Sequence, residues 1–245
     1  GYTDFEEEGR GLLFPGIVAT AEDPVAPAIF TGNQPLAYAG FSVALVQDMD
    51  GDGYDEMAVG ATGVEEIPDV EDLPPNVGSV WLIYGGPLPA PDPDSGEIVL
   101  EAATVFYGES YYSRTGWDVA SAGDVNGDGL GDLLLSGELE WYDSEDGESY
   151  RQGRVYLFFG RAEGFPATVC VSEADVVLDG DEADEMAGAS LAGGHDLDGD
   201  GVPDLVIGAP YDGTYAGHVY VVSGADVAAG GSFELADVGV SLGGD

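Results

Sequence analysis

The sequence predicts an all-β fold, a β-propeller built from four-stranded blades, and two observations support this prediction. A nine-residue loop rich in aspartate and glycine occurs three times, beginning at Asp48, Asp124 and Asp196. Short apolar segments bounded by glycine flank each loop, and they are typical of buried strands because they are too short for helices. A unit of four short strands that repeats at this length is typical of a propeller blade, in which strands pack radially around an axis.

Each repeat unit contains the same elements in the same order. The first strand begins at a glycine shortly before the loop: Gly40, Gly116 and Gly188. The second strand follows the loop directly, at 57–61, 133–137 and 205–210. The third strand is rich in β-branched and aromatic residues, as strands tend to be, and covers 78–85, 153–160 and 217–224. A weaker fourth strand is predicted at 97–100, 168–171 (with 176–178 as an extension) and 232–235.

These units predict a single repeat domain over residues 1–245, with about four blades' worth of chain. We divide it into a partial blade 1–37, blades 38–112, 113–184 and 185–236, and the start of a further blade at 237–245. Both ends match parts of the repeat, which places Asp4 and Asp245 in incomplete copies of the loop. The simplest expectation is that the sequence is a segment of a longer chain.

The chain is strongly acidic, and this charge excludes several classes of partner. It has 48 Asp and Glu against 5 Lys and Arg, a net charge of −43. Nucleic acids and anionic membrane surfaces are excluded because both require basic patches. Membrane insertion is not expected because no apolar run is long enough to cross a bilayer. Cations are the natural partners, although a salt-rich habitat would also explain the acidity.

The repeated loop has the composition of a calcium site. Oxygen-bearing side chains occupy positions 1, 3, 5 and 9, position 7 offers a backbone carbonyl, and glycines at positions 4 and 6 allow the sharp turn that Ca²⁺ loops need. The sequence therefore predicts three complete Ca²⁺ sites, with these ligands: Asp48, Asp50, Asp52, Tyr54 and Glu56; Asp124, Asn126, Asp128, Leu130 and Asp132; Asp196, Asp198, Asp200, Val202 and Asp204. An EF-hand is excluded because its position 12 requires glutamate, whereas Val59, Leu135 and Ile207 stand there.

Two short motifs in each unit resemble a known repeat. The first motif is a dipeptide at the start of the first strand: Ala39–Gly40, Thr115–Gly116 and Ala187–Gly188. The second motif is a tripeptide at the end of the second strand, at 60–62, 136–138 and 208–210. Together they resemble the FG-GAP repeat, the blade of integrin α-subunit propellers and of many bacterial surface proteins. The resemblance covers nearly the whole chain. It implies a propeller, and because family members typically close with seven blades, this chain is either a shorter propeller or a segment of a seven-bladed one.

Catalytic patterns are scarce, and we expect that the protein is not an enzyme. Residues 239–243 match a nucleophile-elbow pattern, but Ser241 occupies the repeat position of Ser42 and no histidine follows it. Paired carboxylates at 138–146 suit a solvated acidic loop as well as acid–base chemistry. The single cysteine, Cys170, lies in an apolar run and is expected to be buried.

The function expected from the sequence is a calcium-binding module of a secreted or cell-surface protein, acting in adhesion or in protein or glycan interaction. Variable loops at 63–77 and 138–152 lie between the second and third strands, so we place the ligand on that rim, with Tyr111, Tyr112, Trp141 and Tyr142 as candidate stacking residues. Two alternatives remain open. One is the propeller domain of a polysaccharide-acting enzyme, and the other is a structural repeat that self-associates head to tail through its edge blades.

Overall fold

The structure, a computed structural model, describes residues 10–13, 28–31, 37–64, 66–67, 70–74, 76–90, 93–94, 98–110, 112–137, 141–143, 149–181, 184–211 and 216–243. Its strands are β1 (Arg10–Leu13), β2 (Ala28–Thr31), β3 (Ala39–Val46), β4 (Glu56–Ala61), β5 (Ser79–Ile83), β6 (Ile98–Val99), β7 (Thr104–Tyr107), β8 (Thr115–Gly123), β9 (Asp132–Gly137), β10 (Trp141–Asp143), β11 (Ser149–Arg151), β12 (Arg154–Phe158), β13 (Thr168–Cys170), β14 (Val176–Asp179), β15 (Ser190–His195), β16 (Asp204–Ala209), β17 (His218–Val222), β18 (Gly231–Glu234) and β19 (Gly239–Gly243).

Helices are few and short. The described part of the chain has a 3-10 turn at Val171–Glu173 and two four-residue helices, α1 (Gly224–Val227) and α2 (Leu235–Val238). Within the described ranges, no helix has the length and apolar character needed to cross a membrane.

Three sheets, each with four antiparallel strands, form the body of the molecule, and they confirm the prediction of an all-β fold made of four-stranded propeller blades. Blade one contains β3, β4, β5 and β7, in that order across the sheet. Blade two contains β8, β9, β12 and β14, and blade three contains β15, β16, β17 and β19. The predicted first, second and third strands of each unit therefore pair with one another as neighbours.

The predicted fourth strands 97–100, 168–171 and 232–235 were wrong, whereas the predicted extension 176–178 lies in β14, the fourth strand of blade two. The segments 97–100, 168–171 and 232–235 contain β6, β13 and β18, and these strands pair in parallel with β2, β7 and β14, the outer strands of the sheets that precede them. The fourth strands are instead β7, β14 and β19, which follow a few residues later. Both candidates in each unit are short and β-branched, and local composition does not determine which sheet edge such a strand joins.

The last described segment also differs from its prediction. Residues 237–245 were expected to begin a further blade, but Gly239–Gly243 pairs antiparallel with β17 and completes blade three. Alternating apolar residues next to glycine suit a first or a fourth strand equally, so the pattern alone could not distinguish them. Asp4 and Asp245, the predicted partial loops, lie outside the described residues, as does most of the segment 1–37 apart from β1 and β2.

The core lies between neighbouring blades, because the central strands are covered on both faces. In β9, Leu133 and Leu135 pack with Phe106 of blade one, whereas Leu134 packs with Ile207 of blade three. This double coverage explains why the second strands are continuous apolar runs rather than alternating patterns. Each fully buried leucine of this kind stabilises the fold by about 1.5–3 kcal/mol.

Gly60 and Gly116 lie where the backbones of blades one and two approach each other closely. Ser42 Oγ of blade one donates a hydrogen bond of 2.9 Å to the Gly116 carbonyl of blade two. A Cβ at Gly60 would overlap both that carbonyl oxygen and Ser42 Oγ, so this contact requires glycine. Gly116 has a φ of 86°, a left-handed conformation that also favours glycine. Between blades two and three, the Leu191 N–H donates to Asp118 Oδ2 at 2.7 Å.

Cys170 is half-buried rather than buried, contrary to the sequence expectation. It ends β13 on the outer edge of blade one, where the neighbouring residue Val169 faces the core and is 3% exposed. Ser172 Oγ donates to the Cys170 Sγ at 3.0 Å.

Candidate metal centres

Each aspartate-rich loop connects the first strand of a blade to the second. The loops follow β3, β8 and β15 and lead into β4, β9 and β16. In the first loop, Gly51 and Gly53 have φ values of 80° and 91°, which fold the chain sharply enough for its side chains to converge. The other two loops repeat these left-handed glycines at 127, 129, 199 and 201.

The first aspartate of each loop organises the turn through backbone N–H groups. Asp48 Oδ1 accepts from the Gly51 N–H at 2.6 Å, and its Oδ2 accepts from the Gly53 N–H at 2.9 Å. Asp196 repeats both bonds, with Gly199 at 2.6 Å and Gly201 at 3.0 Å. Such bonds fix the orientation of the carboxylate before any ligand arrives.

The second loop closes in the same way, with one difference. Asp124 Oδ2 accepts from the Gly129 N–H at 2.9 Å, and its Oδ1 accepts from the Asp128 N–H at 3.0 Å. At position 3 this loop has Asn126 instead of aspartate, and the Asn126 Nδ2 donates to Asp128 Oδ2 at 2.9 Å. The second loop therefore carries two negative charges fewer than the first, since Asn126 replaces an aspartate at position 3 and Gly131 stands where the first loop has Asp55.

The carboxylate at position 9 begins the second strand and is buried in all three loops. Glu56 and Asp132 are 0% exposed, and Asp204 is 2% exposed. Each accepts from the backbone N–H at loop position 2, which belongs to Met49, Val125 or Leu197. Asp132 and Asp204 also accept from Gly160 and Gly224, just beyond the third strand, at 2.9 and 3.1 Å. The closing carboxylate thus ties the loop to the strand meander of its own blade.

Burial raises the pKa of two closing carboxyls to about 7. For Glu56 the main cause is desolvation, and the negative charges of Asp50 and Asp48 act in the same direction. For Asp132 desolvation is again the main cause, and Asp128 and Asp124 add to it. The backbone N–H donors lower both pKa values, but they do not cancel the effect of burial. A bound cation would stabilise the ionised forms and remove this penalty.

One oxygen atom of the first loop is suited to bind a cation. Glu56 Oε1 is buried and accepts no hydrogen bond of good geometry within the described structure, although the Gly85 N–H also lowers the pKa of this carboxyl. A buried carboxylate oxygen without a partner is costly unless a donor or a cation reaches it. The residues around it are oxygen donors of the kind that hard divalent cations prefer, so the donor set fits a metal ion.

The carboxylates converge in two of the three loops. In the first loop, the oxygens of Asp48, Asp50, Asp52 and Glu56 lie within 4.8 Å of one another. In the third loop, the same holds for Asp196, Asp198 and Asp204, without Asp200. Among the described residues no such set of three carboxylates is found in the second loop, where position 3 is the amide Asn126. The first and third clusters could therefore hold a divalent cation as they stand.

Neighbouring loops are joined across the blade junction. The Gly131 N–H of the second loop donates to the Asp48 carbonyl at 2.8 Å, and the Arg161 N–H of blade two donates to the Met49 carbonyl at 2.7 Å. Whatever stiffens the first loop consequently acts on blade two as well. This link was not visible in the sequence, because it joins residues from different repeats.

The residues at position 12 are buried in strands, as expected. Val59 is 1% exposed, and Leu135 and Ile207 are 0% exposed. None can supply the bidentate carboxylate of an EF-hand, so the geometry is that of a loop closed at position 9.

The structure reveals a serine–histidine contact that the sequence pattern did not predict. His218 Nδ1 and Ser241 Oγ lie 2.9 Å apart on neighbouring strands, and both are partly or fully exposed. Ser241 lies in the middle of β19 and not at a strand–turn–helix elbow, which the nucleophile motif requires. The contact is therefore a cross-strand hydrogen bond and gives no support to a hydrolase site.

The loop 63–77, which was predicted to form part of the ligand-binding rim, contributes some of its side chains to the hydrophobic core. Val64 and Ile67 are 1% and 5% exposed and pack against Trp81. Glu66, Glu71 and Asp72 of the same loop are exposed. In the other predicted rim loop, β10 and β11 form a hairpin, whereas residues 138–140 and 144–148 lie outside the described part of the chain. Tyr112 is 44% exposed, and Tyr111 is not among the described residues.

Comparison with known proteins identifies the repeat. The sequence matches the FG-GAP repeat family at residues 39–83 and 187–222. The first match covers β3 to β5 of blade one, and the second covers β15 to β17 of blade three. Both include a complete aspartate-rich loop with its flanking strands.

Among curated proteins, the chain is similar to integrin α subunits. It is 34% identical to integrin alpha-PS2 of Drosophila melanogaster over 73% of this chain and 12% of that protein. It is 31% identical to integrin alpha-5 of Xenopus laevis over 74% of this chain and 15% of that protein. It is also 38% identical to phosphatidylinositol-glycan-specific phospholipase D of Bos taurus, over 52% of this chain and 15% of that protein. The chain thus spans less than one sixth of the length of these relatives. The chain therefore carries FG-GAP repeats, and its sequence is similar to that of integrin α subunits.

Proposed function

We propose that the protein is a calcium-binding β-propeller module of a secreted or cell-surface protein that acts in adhesion or in protein or glycan interaction. The observation that carries the calcium assignment is the convergence of four carboxylates in the first loop, Asp48, Asp50, Asp52 and the buried Glu56. The carbonyls of Tyr54, Leu130 and Val202 would complete the oxygen ligands of three sites. Calcium suits such sets better than magnesium, because magnesium requires tight octahedral geometry and retains its water.

Calcium in this proposal is structural. It would neutralise carboxylates that burial and mutual repulsion keep partly protonated near neutral pH, notably Glu56 and Asp132. Because Asp48 and Met49 accept hydrogen bonds from blade two, an ordered first loop also stabilises the junction between blades. The ion would therefore stabilise the first hairpin of each blade and the contact between neighbouring blades.

The extracellular location and the adhesion role rest on similarity. The relatives include integrin α subunits of fly and frog, and sites of this oxygen-rich type commonly bind calcium in the 10⁻⁴–10⁻³ M range found in extracellular modules. We place the protein or glycan ligand on the rim formed by loops 63–77 and 138–152. The exposed carboxylates Glu66, Glu71 and Asp72 give that rim a negative charge, which favours a partner with basic groups.

Thermal unfolding with and without calcium tests the metal assignment. The proposal predicts that millimolar Ca²⁺ raises the melting temperature of the chelator-treated protein, and that Mg²⁺ at the same concentration raises it much less. The variant Asp50→Ala removes a converging ligand and should reduce the calcium-dependent gain, whereas Asp72→Ala, an exposed acid outside the loops, should leave it unchanged. A melting temperature that does not respond to calcium would contradict the proposal.

The similarity to phosphatidylinositol-glycan-specific phospholipase D supports a second context for the same module, the propeller part of a larger enzyme. In that case the propeller would serve binding, and purified protein with the present sequence should show no hydrolysis of phospholipid or polysaccharide substrates. Hydrolysis that is lost on His218→Ala or Ser241→Ala would instead assign the exposed serine–histidine pair a catalytic role.

A further inference from the structure

A chain of hydrogen bonds runs through two peptide units at the junction between the first and second loops. The Gly131 N–H, at position 8 of the second loop, donates to the Asp48 carbonyl at 2.8 Å. The peptide unit that contains the Asp48 carbonyl also contains the Met49 N–H, which donates to Glu56 Oε2 at 2.5 Å. The hydrogen bonds therefore connect position 8 of the second loop to the closing carboxylate of the first.

The peptide unit of Gly131 also contains a predicted calcium ligand. The Gly131 N–H and the Leu130 carbonyl belong to one peptide bond, and no peptide bond among the described residues is cis. In a planar trans peptide the N–H and the carbonyl point in opposite directions. Because the N–H points to the first loop, the Leu130 carbonyl points away from it, as a position-7 ligand of the second loop must. We call the peptide units 130–131 and 48–49, together with Glu56, the relay.

Two adjacent residues of blade two make a second connection at this junction. The Gly160 N–H donates to Asp132 Oδ1, the closing carboxylate of the second loop, at 2.9 Å. The next N–H, that of Arg161, donates to the Met49 carbonyl of the first loop at 2.7 Å. A displacement of either loop is therefore transmitted to the other through a short stretch of backbone.

The junction between the second and third loops lacks the relay. Position 8 of the third loop is Pro203, which has no N–H to donate. Pro203 instead lies close to Gly123, where an added Cβ would meet Pro203 Cγ at 2.8 Å. Within the described ranges, no backbone hydrogen bond joins the second loop to the third. The first junction thus has a donor that the second junction does not have.

The direction of the hydrogen bonds determines the sign of the coupling that the relay provides. When the Leu130 carbonyl coordinates a cation, its peptide unit is polarised, and the Gly131 N–H becomes a stronger donor to Asp48. The Asp48 peptide unit is polarised in turn and donates more strongly to Glu56, which fixes this ligand of the first loop. Direct repulsion between bound cations opposes this effect, but it acts at both junctions, so the junction without the relay provides the reference.

We propose that the first and second loops bind calcium as a cooperatively coupled pair, whereas the third loop binds it independently of the second. This inference rests on the proposed function, because it concerns how the same three sites fill. A relay of two hydrogen bonds should give a coupling at the low end of the usual range, about 5–10-fold in affinity. Because coupling is reciprocal, each site of the pair raises the affinity of the other by the same factor.

Calcium titration of chelator-treated protein by calorimetry tests the proposal with substitutions at position 3, which leave the relay atoms in place. Asp50→Ala, Asn126→Ala and Asp198→Ala each inactivate one site, and their pairwise combinations leave single sites. In Asp198→Ala, the product of the two calcium affinities should exceed the product of the same affinities measured in the single-site variants by about 5–10-fold. In Asp50→Ala, the same ratio for the second and third sites should be about one or lower.

The titrations are run well below the calcium-free melting temperature of each variant, which is measured first by thermal unfolding. Under this condition every variant is folded before calcium is added. Coupling that arises only because calcium stabilises the folded chain as a whole then does not contribute.

Hydrogen exchange gives a second readout, which a general gain in stability would not reproduce. In the double variant Asn126→Ala, Asp198→Ala, calcium fills the first loop alone, and the amides of residues 130–132 should exchange more slowly than without calcium. In the matched double variant Asp50→Ala, Asn126→Ala, calcium fills the third loop alone and should leave the exchange of residues 130–132 unchanged.

The two levels of the argument fail in different ways. Three independent calcium sites, or equal coupling at both junctions, would overturn the inference of a coupled pair and leave the calcium assignment intact. Absence of calcium binding would overturn the proposed function and this inference together.

Discussion

The close approach of blades one and two at Gly60 can be tested by adding one methyl group. In Gly60→Ala, the new Cβ would overlap the Gly116 carbonyl oxygen and Ser42 Oγ, and the Gly116 carbonyl carbon would lie 3.0 Å away. The obstacle is mainly backbone of the neighbouring blade, so it can be relieved only by moving the blades apart. Gly60 does not have a left-handed φ, which means that the substitution tests the contact and not backbone strain.

The expected loss in free energy of unfolding follows from the atoms that the new methyl group would displace. Overpacking of this kind costs about 1–3 kcal/mol. Loss of the 2.9 Å hydrogen bond from Ser42 to Gly116 adds about 1 kcal/mol. The matched control is Gly208→Ala, at the same position of blade three, where the crowding atom is the exposed Ser190 hydroxyl and the other neighbours lie at 3.5 and 3.6 Å. Both variants gain equally from reduced freedom of the unfolded chain, so their difference isolates the junction.

The assay is thermal unfolding in saturating calcium. A difference of about 2–4 kcal/mol corresponds to a melting temperature roughly 5–15 °C lower for Gly60→Ala than for Gly208→Ala. If the two variants melt within about 2 °C of each other, the blade junction is not as close as the structure describes and the reasoning fails.

Two further predictions concern buried carboxylates. Because the folded-state pKa values of Glu56 and Asp132 are raised to about 7, the calcium-free protein should lose stability as pH rises from about 4.5 through 7. Calcium reverses this loss, so calcium should raise the melting temperature more at pH 8 than at pH 5.5. The double variant Glu56→Gln, Asp132→Asn should flatten the pH dependence of the calcium-free melting temperature. Tyr220→Phe removes the hydroxyl that donates to the buried Glu185 at 3.0 Å and should lower the free energy of unfolding by about 1–3 kcal/mol in urea, whereas Tyr38→Phe, at a residue 45% exposed, should leave it unchanged.

The parts of the fold that the sequence predicted are those set by local chemistry. The loops from Asp48, Asp124 and Asp196 were identified because oxygen ligands and glycines must stand at fixed spacings to form such a turn. The first three strands of each unit were identified because glycines bound short apolar runs. The EF-hand was excluded by Val59, Leu135 and Ile207, and the structure buries all three in strands.

The parts that the sequence missed depend on contacts between distant residues. Strand β13 resembles a fourth strand in composition, yet it pairs with β7 of the preceding blade, and pairing of this kind is decided by the packing of whole sheets. The unpaired Glu56 Oε1 was equally invisible, because the sequence does not show which donors reach a buried oxygen. A comparison of residues 176–180 with 238–243 could have revealed β19 as a fourth strand, because both show apolar residues running into glycine.

The most direct test of the central claim is the number of calcium ions bound per chain, measured by isothermal titration calorimetry on chelator-treated protein. The proposal predicts three ions, one for each loop. It also predicts that Asp50→Ala, Asn126→Ala and Asp198→Ala, each at position 3 of its own loop, remove one ion apiece and leave the other two. Absence of calcium binding, or loss of ions that does not follow the loop substituted, would contradict the assignment of these loops as the calcium sites of the propeller.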